Sequence, residues 1–562
     1  MSVACAPILL VSSRLDEARE RAIRAALGSP SPVTVAHPSS PPSDLAGYQA
    51  IILDGPQESL AVEVIALLRQ FVAAGGSLLA LGAAPSDGTS PVATLLGAVV
   101  HVAHPSSEVF GKNADPRHEL LRRVDREFPL VDSFAALRPL NGDTSVLLHV
   151  NWGYRDEPAA LERTLGQGRV VVLGLGNSVE ALEAPPLRTI LRRALRHRDE
   201  ERPERPLGVG VVGFGPYGGM GFVHGAAIAQ CDGLDLVAAC DRAPERREAA
   251  RADFPTVRFY AGADDLARDP EVDIVVVATP TVSHAAIGLA MLRAGKHVVC
   301  EKPFCVNVEQ ADELIDAARS HGVVLTVHQN RRWDPDFLAL RRAVEGGALG
   351  DLFNVETFVG DFAHPCRYWH SDSTISGGAI YDWGSHHTDW ILQLMPGMPA
   401  VVSATAHKRV WHDVTNFDQV RVRLLWPDGR EAEFFHSDVA AVRRPKFYLQ
   451  GTAGTLTGHY RSVAFERIDR ARGYVREQAH YAEAPAELTL ARYESGYGIS
   501  ETKLPLPSPQ PFAFHRNLAD HLHLGEPLAV TAESARQVIA VLEAAQHSAT
   551  HGGTLVTPPD LA

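Results

Sequence analysis

Gly213-Phe214-Gly215-Pro216-Tyr217-Gly218 follows the apolar run 209–212 and precedes a segment with helical character that starts at Gly219. A strand, a glycine-rich turn and a helix in this order are typical of a dinucleotide-binding fold. The glycines allow a tight turn and a close approach of the backbone to a pyrophosphate, and the helix N-terminus favours that negative charge. The stretch therefore predicts a Rossmann domain in which residues 213–218 surround the dinucleotide.

An acidic residue follows the second predicted strand of this domain. Asp241 comes directly after the apolar run 236–240, where it can hold the ribose hydroxyls of an adenosine. Its charge would repel a 2′-phosphate and so favours NAD, whereas Arg242 could pair with that phosphate and keeps NADP open. A glycine turn with an ordinary strand-end aspartate is the alternative without a ligand, but both features in register favour a dinucleotide.

The pattern of strands and helices divides the chain into three domains. Residues 1–197 alternate apolar strands with helical segments, which predicts a helix-covered parallel sheet. Residues 198–206 are charged and contain two prolines, as expected of a linker. Residues 207–331 again alternate strands and helices, whereas 332–562 contain mostly strands and a final helix. We expect a doubly wound domain followed by an open, mostly antiparallel sheet with helices.

Composition is that of an ordinary soluble globular protein. The 562 residues are 45% hydrophobic and 21% charged, and the formal net charge is −14, which disfavours a nucleic acid or an anionic membrane surface as a partner. No apolar run approaches the length of a membrane span. Six scattered cysteines without a Cys-x-x-Cys pair fit reduced thiols in the cytoplasm: Cys5, Cys231, Cys240, Cys300, Cys305 and Cys366.

A lysine follows a later strand of the Rossmann pattern. Lys302 comes after the apolar run 297–300 and precedes Pro303, which favours an extended backbone at the lysine. The carboxyl ends of strands in a doubly wound sheet line the ligand crevice, so the ammonium group should project into it. A surface lysine in a Lys-Pro turn is the alternative, and position alone does not decide between the two.

Asp382 and His386 lie four residues apart in a predicted helix over 380–395. This spacing places the two side chains on one helix face. A carboxylate beside an imidazole fixes its tautomer and stabilises the imidazolium that forms when the ring takes a proton. His387 is the weaker candidate for this base. A structural Asp–His pair is the alternative, and in isolation it is the commoner case.

Histidines near this segment raise the question of a metal site. His364, His370 and His387 mix loop and helix positions and match no metal-ligand spacing such as His-Glu-x-x-His. We expect no metal.

Together these motifs resemble the Gfo/Idh/MocA oxidoreductases, the group of glucose–fructose oxidoreductase and inositol dehydrogenase. The similarity runs from Leu207 to about Val556 and rests on seven ordered segments: 213–218, 278–284, 294–303, 330–335, 377–386, 451–455 and 548–553. It implies a Rossmann lobe and an open-sheet lobe that includes the final helix. It also implies an NAD(P)-dependent reaction at a secondary alcohol of a sugar, cyclitol or glycoside.

The resemblance implies roles for residues at matching positions. Lys302 would contact the nicotinamide and the reacting hydroxyl, and His386 would be the acid/base with Asp382 as its partner. Beside the glycine turn (Gly213, Gly215, Pro216, Tyr217 and Gly218), Asp241 and Arg242, the residues implied along the cofactor are Thr279, Pro280, His284, Glu301, Lys302, Asn330 and Arg332. The residues implied at the substrate are Lys302, Arg367, Tyr368, Trp369, Asp382, His386 and His387.

Residues 1–197 resemble the ThuA-like branch of class I glutamine-amidotransferase folds, which are flavodoxin-like. The similarity rests on residues 48–82 and 166–177. The turn after the strand 78–81 reads Gly82-Ala83-Ala84 and has no cysteine nucleophile, so we expect a role in assembly or in capping the active site, not glutaminase activity. His101, His118 and His149 are as compatible with a structural role as with a functional one.

The leading hypothesis is an NAD(P)-dependent dehydrogenase that acts on a sugar or cyclitol. Some relatives instead oxidise a sugar hydroxyl transiently, eliminate a glycosidic substituent and return the hydride, and this alternative stays open. A nucleotide-sensing protein with a relic site is disfavoured because Lys302, Asp382 and His386 are all present. By analogy with the family we expect a homodimer or homotetramer.

Overall fold

The computed structural model describes residues 7–27, 32–56, 60–115, 118–121, 124, 126–140, 142–153, 155–195, 205–215, 219–366, 369–469, 473–480, 484–507, 509–510 and 512–559. Side chains over 462–483 are not part of this description. The chain forms two compact units. The first consists of Met1–Glu204 with Leu524–Glu526, and the second of Arg205–His523 with Pro527–Ala562. Each is described by itself.

The first unit consists of strands and helices between Ile8 and Ala194. Its strands are β1 Ile8–Ser12, β2 Val33–Ala36, β3 Ala50–Asp54, β4 Ser77–Leu81, β5 Ala98–Ala103, β6 Ser107–Asn113, β7 Glu127–Asp132, β8 Ala135–Pro139, β9 Thr144–Trp152, β10 Arg155–Leu165 and β11 Gly168–Leu173. Its helices are α1 Glu17–Leu27, α2 Val62–Ala73, α3 Pro91–Leu96, α4 Val179–Glu183 and α5 Pro185–Ala194.

Nine of these strands form one mixed sheet in the order β2-β1-β3-β4-β11-β10-β9-β6-β7. The five strands from β2 to β11 are parallel and have the flavodoxin-like order. The remaining four are antiparallel. The expected parallel sheet is thus only half of the observed one. The antiparallel half alternates buried and exposed residues, as in β6 and β7, which is typical of strands with one face covered.

The second unit begins with a parallel sheet covered by helices. Its strands are β12 Leu207–Val212, β13 Leu234–Cys240, β14 Arg258–Tyr260, β15 Ile274–Val277, β16 His297–Cys300 and β17 Leu325–Val327. The helices of this part are α6 Met220–Gln230, α7 Pro244–Asp253, α8 Ala263–Ala267, α9 His284–Arg293, α10 Val308–His321 and α11 Pro335–Glu345.

The strand order is β14-β13-β12-β15-β16-β17, and all pairs are parallel. This is the doubly wound order of a dinucleotide-binding domain, with its switch point at β12 and β15. Strands β15 and β16 are almost completely buried because helices cover both faces of such a sheet. The Rossmann prediction is confirmed, and the carboxyl ends of β12, β13, β15 and β16 carry the predicted site residues.

The rest of the second unit is built on a second, mostly antiparallel sheet. Its strands are β18 Leu352–Gly360, β19 Val401–His407, β20 Gln419–Leu425, β21 Glu431–Ser437, β22 Phe447–Gly451, β23 Gly454–His459, β24 Ser462–Asp469, β25 Gly473–His480, β26 Glu487–Glu494 and β27 Gly498–Lys503. Its helices are α12 Ser373–Ser376, α13 Ala379–Asp382, α14 Gly384–Leu394, α15 Ala513–Leu524 and α16 Ala532–Thr550.

Eight of these strands pair in the order β19-β20-β21-β18-β22-β23-β26-β27, while β24 and β25 form a separate hairpin. Only the pair β18–β21 is parallel in this sheet. Helices α14 and α16 pack against each other, and α16 packs against β19. The expected open-sheet lobe is therefore confirmed. Across the described parts of the chain, every helix is too short or too polar to span a bilayer.

Candidate active site

The turn after β12 has the conformation that a dinucleotide requires. Gly213 and Gly215 have positive φ values of 85° and 71°. A Cβ on Gly213 would lie 2.8 Å from the carbonyl oxygen of Ala278, so a larger residue would push apart the ends of β12 and β15. Pro216, Tyr217 and Gly218 lie outside the described residues. The described part of the turn fits the pyrophosphate of NAD(P), with the helix α6 beginning directly after it.

Asp241 is held beside this turn. Its Oδ2 accepts a hydrogen bond of 2.9 Å from the backbone N–H of Gly215, and its Oδ1 accepts one of 3.0 Å from Ala243. The carboxylate is therefore fixed at the end of β13, where the ribose of an adenosine would lie. Arg242 is exposed next to it.

The loop after β15 is anchored by a buried histidine. Thr279 and Pro280 follow the strand, and the Thr279 methyl group lies 2.7 Å from the place a Cβ on Gly213 would occupy. The ring nitrogens of His284 lie 2.6 Å from the Thr279 carbonyl oxygen and 2.9 Å from that of Pro303. His284 is 1% exposed. Its side chain therefore joins two loops of the crevice. The resemblance had implied a position along the cofactor, and the buried ring does not line it.

Lys302 lies at the end of β16 and reaches the second lobe. Its Nζ donates hydrogen bonds to Oδ1 of Asp382 at 2.8 Å and to the Asp382 carbonyl oxygen at 3.2 Å. The side chains of Lys302 and Asp382 are 22% and 30% exposed, so both are accessible to a small molecule. Burial alone would raise the pKa of the Asp382 carboxyl, but the charge and the hydrogen bond of Lys302, together with His370 and His436, outweigh it and lower that pKa.

The predicted pair of Asp382 and His386 is absent within the described residues. Asp382 ends α13 and His386 lies in α14, and Trp383 separates the two helices that the sequence predicted as one. The Asp382 carboxylate pairs with Lys302 instead. The spacing of four residues predicted one helix face, and it could not show that a lysine from the other lobe takes the carboxylate.

His386 is a buried, neutral imidazole next to two cations. It is 4% exposed, and its Nδ1 has no hydrogen-bond partner among the described residues. Burial holds the pKa of His386 well below its usual value, and the charges of Lys302 and Arg331 lower it further. The ring is therefore unprotonated at neutral pH and can accept a proton.

Of two adjacent arginines, the one that sequence reasoning passed over lies near this imidazole. The guanidinium of Arg331 lies 5.3 Å from the ring centroid of Trp383 and contributes to the low pKa of His386. Arg332, the predicted residue, is 5% exposed and binds both carboxylate oxygens of Asp389 through Nε and Nη2. It stabilises the fold, and its predicted contact with nicotinamide and substrate is not supported.

Three further residues were predicted at the cofactor or the substrate, and their surroundings are as follows. His387 is 1% exposed and packs against the rings of Trp390 and Phe434 at 4.9 and 4.8 Å, so it lies in the core and not at the substrate. Glu301 is also buried, and its carboxylate binds two histidines. Asn330 is exposed in a short 3-10 helix over Asn330–Trp333.

The predicted substrate loop is described only in part. Arg367 and Tyr368 lie outside the described residues. Trp369 stacks on His370 with ring centroids 3.8 Å apart. Burial lowers the pKa of His370, and the charge of Lys302 lowers it further, which places His370 near the lysine. The sequence offered His370 only as a rejected metal ligand, and no local spacing distinguishes it from the other histidines.

The first unit carries a cavity of about 250 Å³ at the carboxyl ends of β4 and β11. Its lining includes Gly82, Ala84, Ser133 and Asn177 and contains no cysteine among the described residues. His118 binds Glu162 at 2.8 Å, and this bond raises the pKa of the imidazole against the effect of burial.

Comparisons with known families agree with the two folds. Residues 207–329 match the family described as "Oxidoreductase family, NAD-binding Rossmann fold". Residues 337–457 match the "GFO/IDH/MocA C-terminal domain". Residues 20–198 match the ThuA family, described as "Trehalose utilisation".

Similar proteins cover about three fifths of this chain and nearly the whole of their own length. The chain is 31% identical over 348 residues to the uncharacterized oxidoreductase YdgJ of Escherichia coli, which is 62% of this chain and 97% of that protein. It is 28% identical over 353 residues to the scyllo-inositol 2-dehydrogenase (NADP(+)) IolW of Bacillus subtilis, covering 62% and 95%. A solved NAD-binding protein from Listeria innocua is 27% identical with a TM-score of 0.53, over 63% of this chain and 97% of that one.

Proposed function

The chain belongs to the Gfo/Idh/MocA oxidoreductase family, and we propose that it oxidises a secondary alcohol of a sugar or cyclitol with NAD(P) as the oxidant. The observations that support this proposal are the ion pair of Lys302 with Asp382 after β16 and the buried imidazole of His386, whose pKa is lowered by burial and by the charge of Lys302. A bound nicotinamide would supply the hydride acceptor. The similarity to a scyllo-inositol dehydrogenase supports a cyclitol or sugar as substrate.

Lys302 is suited to hold the reacting oxygen. Its ammonium group already bonds to two oxygens of Asp382 and remains partly exposed. A substrate hydroxyl within reach of Nζ would be oriented by it, and the positive charge would stabilise the negative charge that grows on that oxygen. Asp382 would act as the group that positions the ammonium.

His386 is suited to take the hydroxyl proton. A base must be unprotonated before it can act, and burial beside Lys302 and Arg331 keeps this ring neutral. When the ring accepts the proton, the loss of the hydride leaves a carbonyl group on the substrate. In the reverse direction the His386 ring returns the proton to the carbonyl oxygen of the substrate.

The dinucleotide would bind along the ends of β12, β13 and β15. Gly213 and Gly215 would approach the pyrophosphate, and Asp241 would bind the adenosine ribose. The fixed carboxylate of Asp241 supports NAD as the preferred nucleotide, whereas exposed Arg242 is placed to pair with the extra phosphate of NADP.

The assay for this function is nucleotide reduction by the full chain. A panel of inositols, hexoses and glycosides is offered with NAD⁺ or NADP⁺, and nicotinamide absorbance is followed. We expect net reduction with at least one cyclitol or sugar. Release of a free sugar from a glycoside without net reduction would instead support the route of transient oxidation, elimination and return of the hydride.

We also infer a division of labour between domains. Residues 207–331 would bind the dinucleotide, 332–562 would bind the substrate and form contacts between copies in a homodimer or homotetramer, and 1–197 would act in assembly or capping, joined by a linker over 198–206. The first unit has no cysteine at the turn after β4, which supports a role without its own acyl chemistry. Sedimentation of the full chain would test the oligomeric state.

A further inference from the structure

Three buried histidines meet behind Lys302, each from a different segment of the second unit. His224 lies on α6, His328 follows β17, and His515 lies on α15. They are 0%, 3% and 4% exposed. One ring nitrogen of each lies within 4.8 Å of those of the other two. Because these segments are far apart in sequence, no motif spacing predicted the cluster.

The distances are compatible with ligation of one ion. A tetrahedral zinc ion with bonds of about 2.0–2.1 Å holds its nitrogen ligands about 3.4 Å apart. Nδ1 of His224 and Nε2 of His515 are 2.9 Å apart, and all three nitrogens lie within 4.8 Å of one another. The required spacing falls inside this range.

Glu301 orients two of the three rings. Its Oε1 lies 2.7 Å from Nε2 of His224 and 2.8 Å from Nδ1 of His328. Because a carboxylate only accepts, each ring donates to it from that nitrogen and keeps a lone pair on the other. Histidines that ligate metals ordinarily donate their second ring nitrogen to a carboxylate or carbonyl in this way.

Hydrogen bonds alone leave this cluster with unused lone pairs. Three neutral rings carry three N–H groups, of which two serve Glu301 and the third lies between His224 and His515. Within the described residues, Nδ1 of His515 is then buried without a partner. A buried polar atom without a partner destabilises the folded state. A cation would bind the facing nitrogens Nδ1 of His224 and Nε2 of His515 once the proton between them has moved to Nδ1 of His515.

An approach for an ion lies on one side of the cluster. A cavity of about 270 Å³ borders His328 and His515 and is also lined by Asn330, Asp334 and Gln510. It is large enough for water, which could complete the coordination next to three protein ligands. Ligand number, a supporting carboxylate and an entry path are thus all present.

We propose that His224, His328 and His515 bind one divalent transition-metal ion, with Glu301 orienting two of the rings. Three imidazoles suit zinc, copper, nickel or iron better than magnesium or calcium. The backbone N–H of Lys302 donates to Oε2 of Glu301 at 3.0 Å. Because Glu301 also binds two of the ligating histidines, the ion would stabilise the backbone position of this lysine. The expectation of no metal weighed only histidines near Asp382, and the ion site stands independently of the substrate proposal.

The test is metal binding by the full chain without an affinity tag. After removal of bound ions with a chelator, the protein is titrated with Zn²⁺ in a calorimeter. We expect one Zn²⁺ per chain in the unaltered protein. His515→Phe keeps an aromatic ring next to Phe514 and removes one ligand, and we expect its affinity to fall at least about 100-fold. The control His321→Ala alters an exposed histidine on α10 and should bind as the unaltered protein does.

Cobalt provides a readout that needs no variant. Co²⁺ bound to three imidazoles and one water gives strong visible bands, whereas hydrated Co²⁺ gives only weak ones. Strong bands that one equivalent of Zn²⁺ removes would support the site. Weak bands only, or equal Zn²⁺ affinity in folded His515→Phe and in the unaltered protein, would overturn it and leave a hydrogen-bonded histidine cluster.

Discussion

Nζ of Lys302 lies 2.8 Å from Oδ1 of Asp382, and this ion pair joins the end of β16 in the Rossmann sheet to the helix α13 of the second lobe. The sequence predicted both residues but assigned the carboxylate to His386. In the structure Asp382 positions the ammonium group of Lys302. The pKa of His386 is instead lowered by burial and by neighbouring positive charge. This division of roles leads to separate expectations for each residue.

The ion pair predicts non-additive effects in alcohol oxidation. We expect Lys302→Met to lower kcat/KM by about 10²–10⁴ because the oxygen loses its cationic partner. Asp382→Asn should have a smaller effect. The double variant should be less impaired than the sum of the two, with a coupling energy of about 0.5–3 kcal/mol. Lys503→Met, at an exposed lysine on β27, is the control and should leave kcat/KM unchanged; full additivity would refute the coupling.

Arg331 predicts a shift in the pH dependence. Because its charge lowers the pKa of His386, Arg331→Met should raise that pKa and move the acidic limb of kcat/KM to higher pH. In the unaltered protein this limb should lie well below the ordinary histidine pKa of about 6.5. Lys302, His387 and Glu301 also act on the imidazole and stay in place in this variant. A pH–rate profile measures the shift, and an unmoved limb would show that His386 is not the titrating base.

The glycine turn predicts a selective loss of nucleotide affinity. Gly213→Ala places a Cβ against Ala278 at a positive φ, so we expect Kd for NAD⁺ to rise at least about tenfold along with a loss of stability of about 1–2 kcal/mol from the backbone. Gly295→Ala has a similar φ of 75° but open space around it. It should lose comparable backbone stability and retain the affinity. Equal Kd values for both variants, from calorimetry, would argue against the turn as the pyrophosphate site.

Asp241 predicts the choice between nucleotides. Asp241→Ser removes the charge that would oppose a 2′-phosphate, so the ratio of kcat/KM for NADP⁺ to that for NAD⁺ should rise by about tenfold, the effect of about 1.4 kcal/mol. Asp235→Ser, at an exposed aspartate near the other end of β13, should not change the ratio. Kinetics with both nucleotides decide the matter, and a ratio that stays constant would count against ribose recognition by Asp241.

The buried histidine of the core predicts acid sensitivity. Burial holds the pKa of His387 well below its ordinary value, so the unfolded chain binds a proton first as pH falls below about 6.5. Stability should then fall by up to about 1.4 kcal/mol per pH unit from this residue. His387→Phe, packed against Trp390 and Phe434, should flatten the fall in Tm between pH 7 and 5. His321→Ala should not, and an unchanged slope in His387→Phe would disprove this contribution.

Short sequence motifs predicted the Rossmann domain and the residues at the ends of its strands. The glycine turn, Asp241 and Lys302 each follow an apolar strand, and the doubly wound order places them at one edge. The antiparallel strands of the first unit were not predicted because their arrangement depends on pairing between separate segments, such as β6 with β9. In the mixed sheet of the first unit and the mostly antiparallel sheet of the second, several strands pair with partners that are distant in sequence.

Contacts between distant segments were out of reach of the sequence. Nothing local distinguishes Arg331, which lies beside Trp383, from Arg332, which binds Asp389. Similarly, the spacing of Asp382 and His386 could not reveal that Lys302 competes for the carboxylate. His224, His328 and His515 meet only because three segments pack together in the second unit.

Hydride transfer itself is tested most directly with a labelled substrate. The full chain is incubated with NAD⁺ and with scyllo-inositol, myo-inositol and glucose deuterated at their ring carbons, and the reduced nucleotide is analysed by mass spectrometry. We expect one deuterium per reduced nicotinamide for the unaltered protein and a strongly reduced rate of labelling for Lys302→Met and His386→Asn. Reduced nucleotide without deuterium, no labelling from any of the three compounds, or unchanged labelling in both variants would refute hydride transfer at this site.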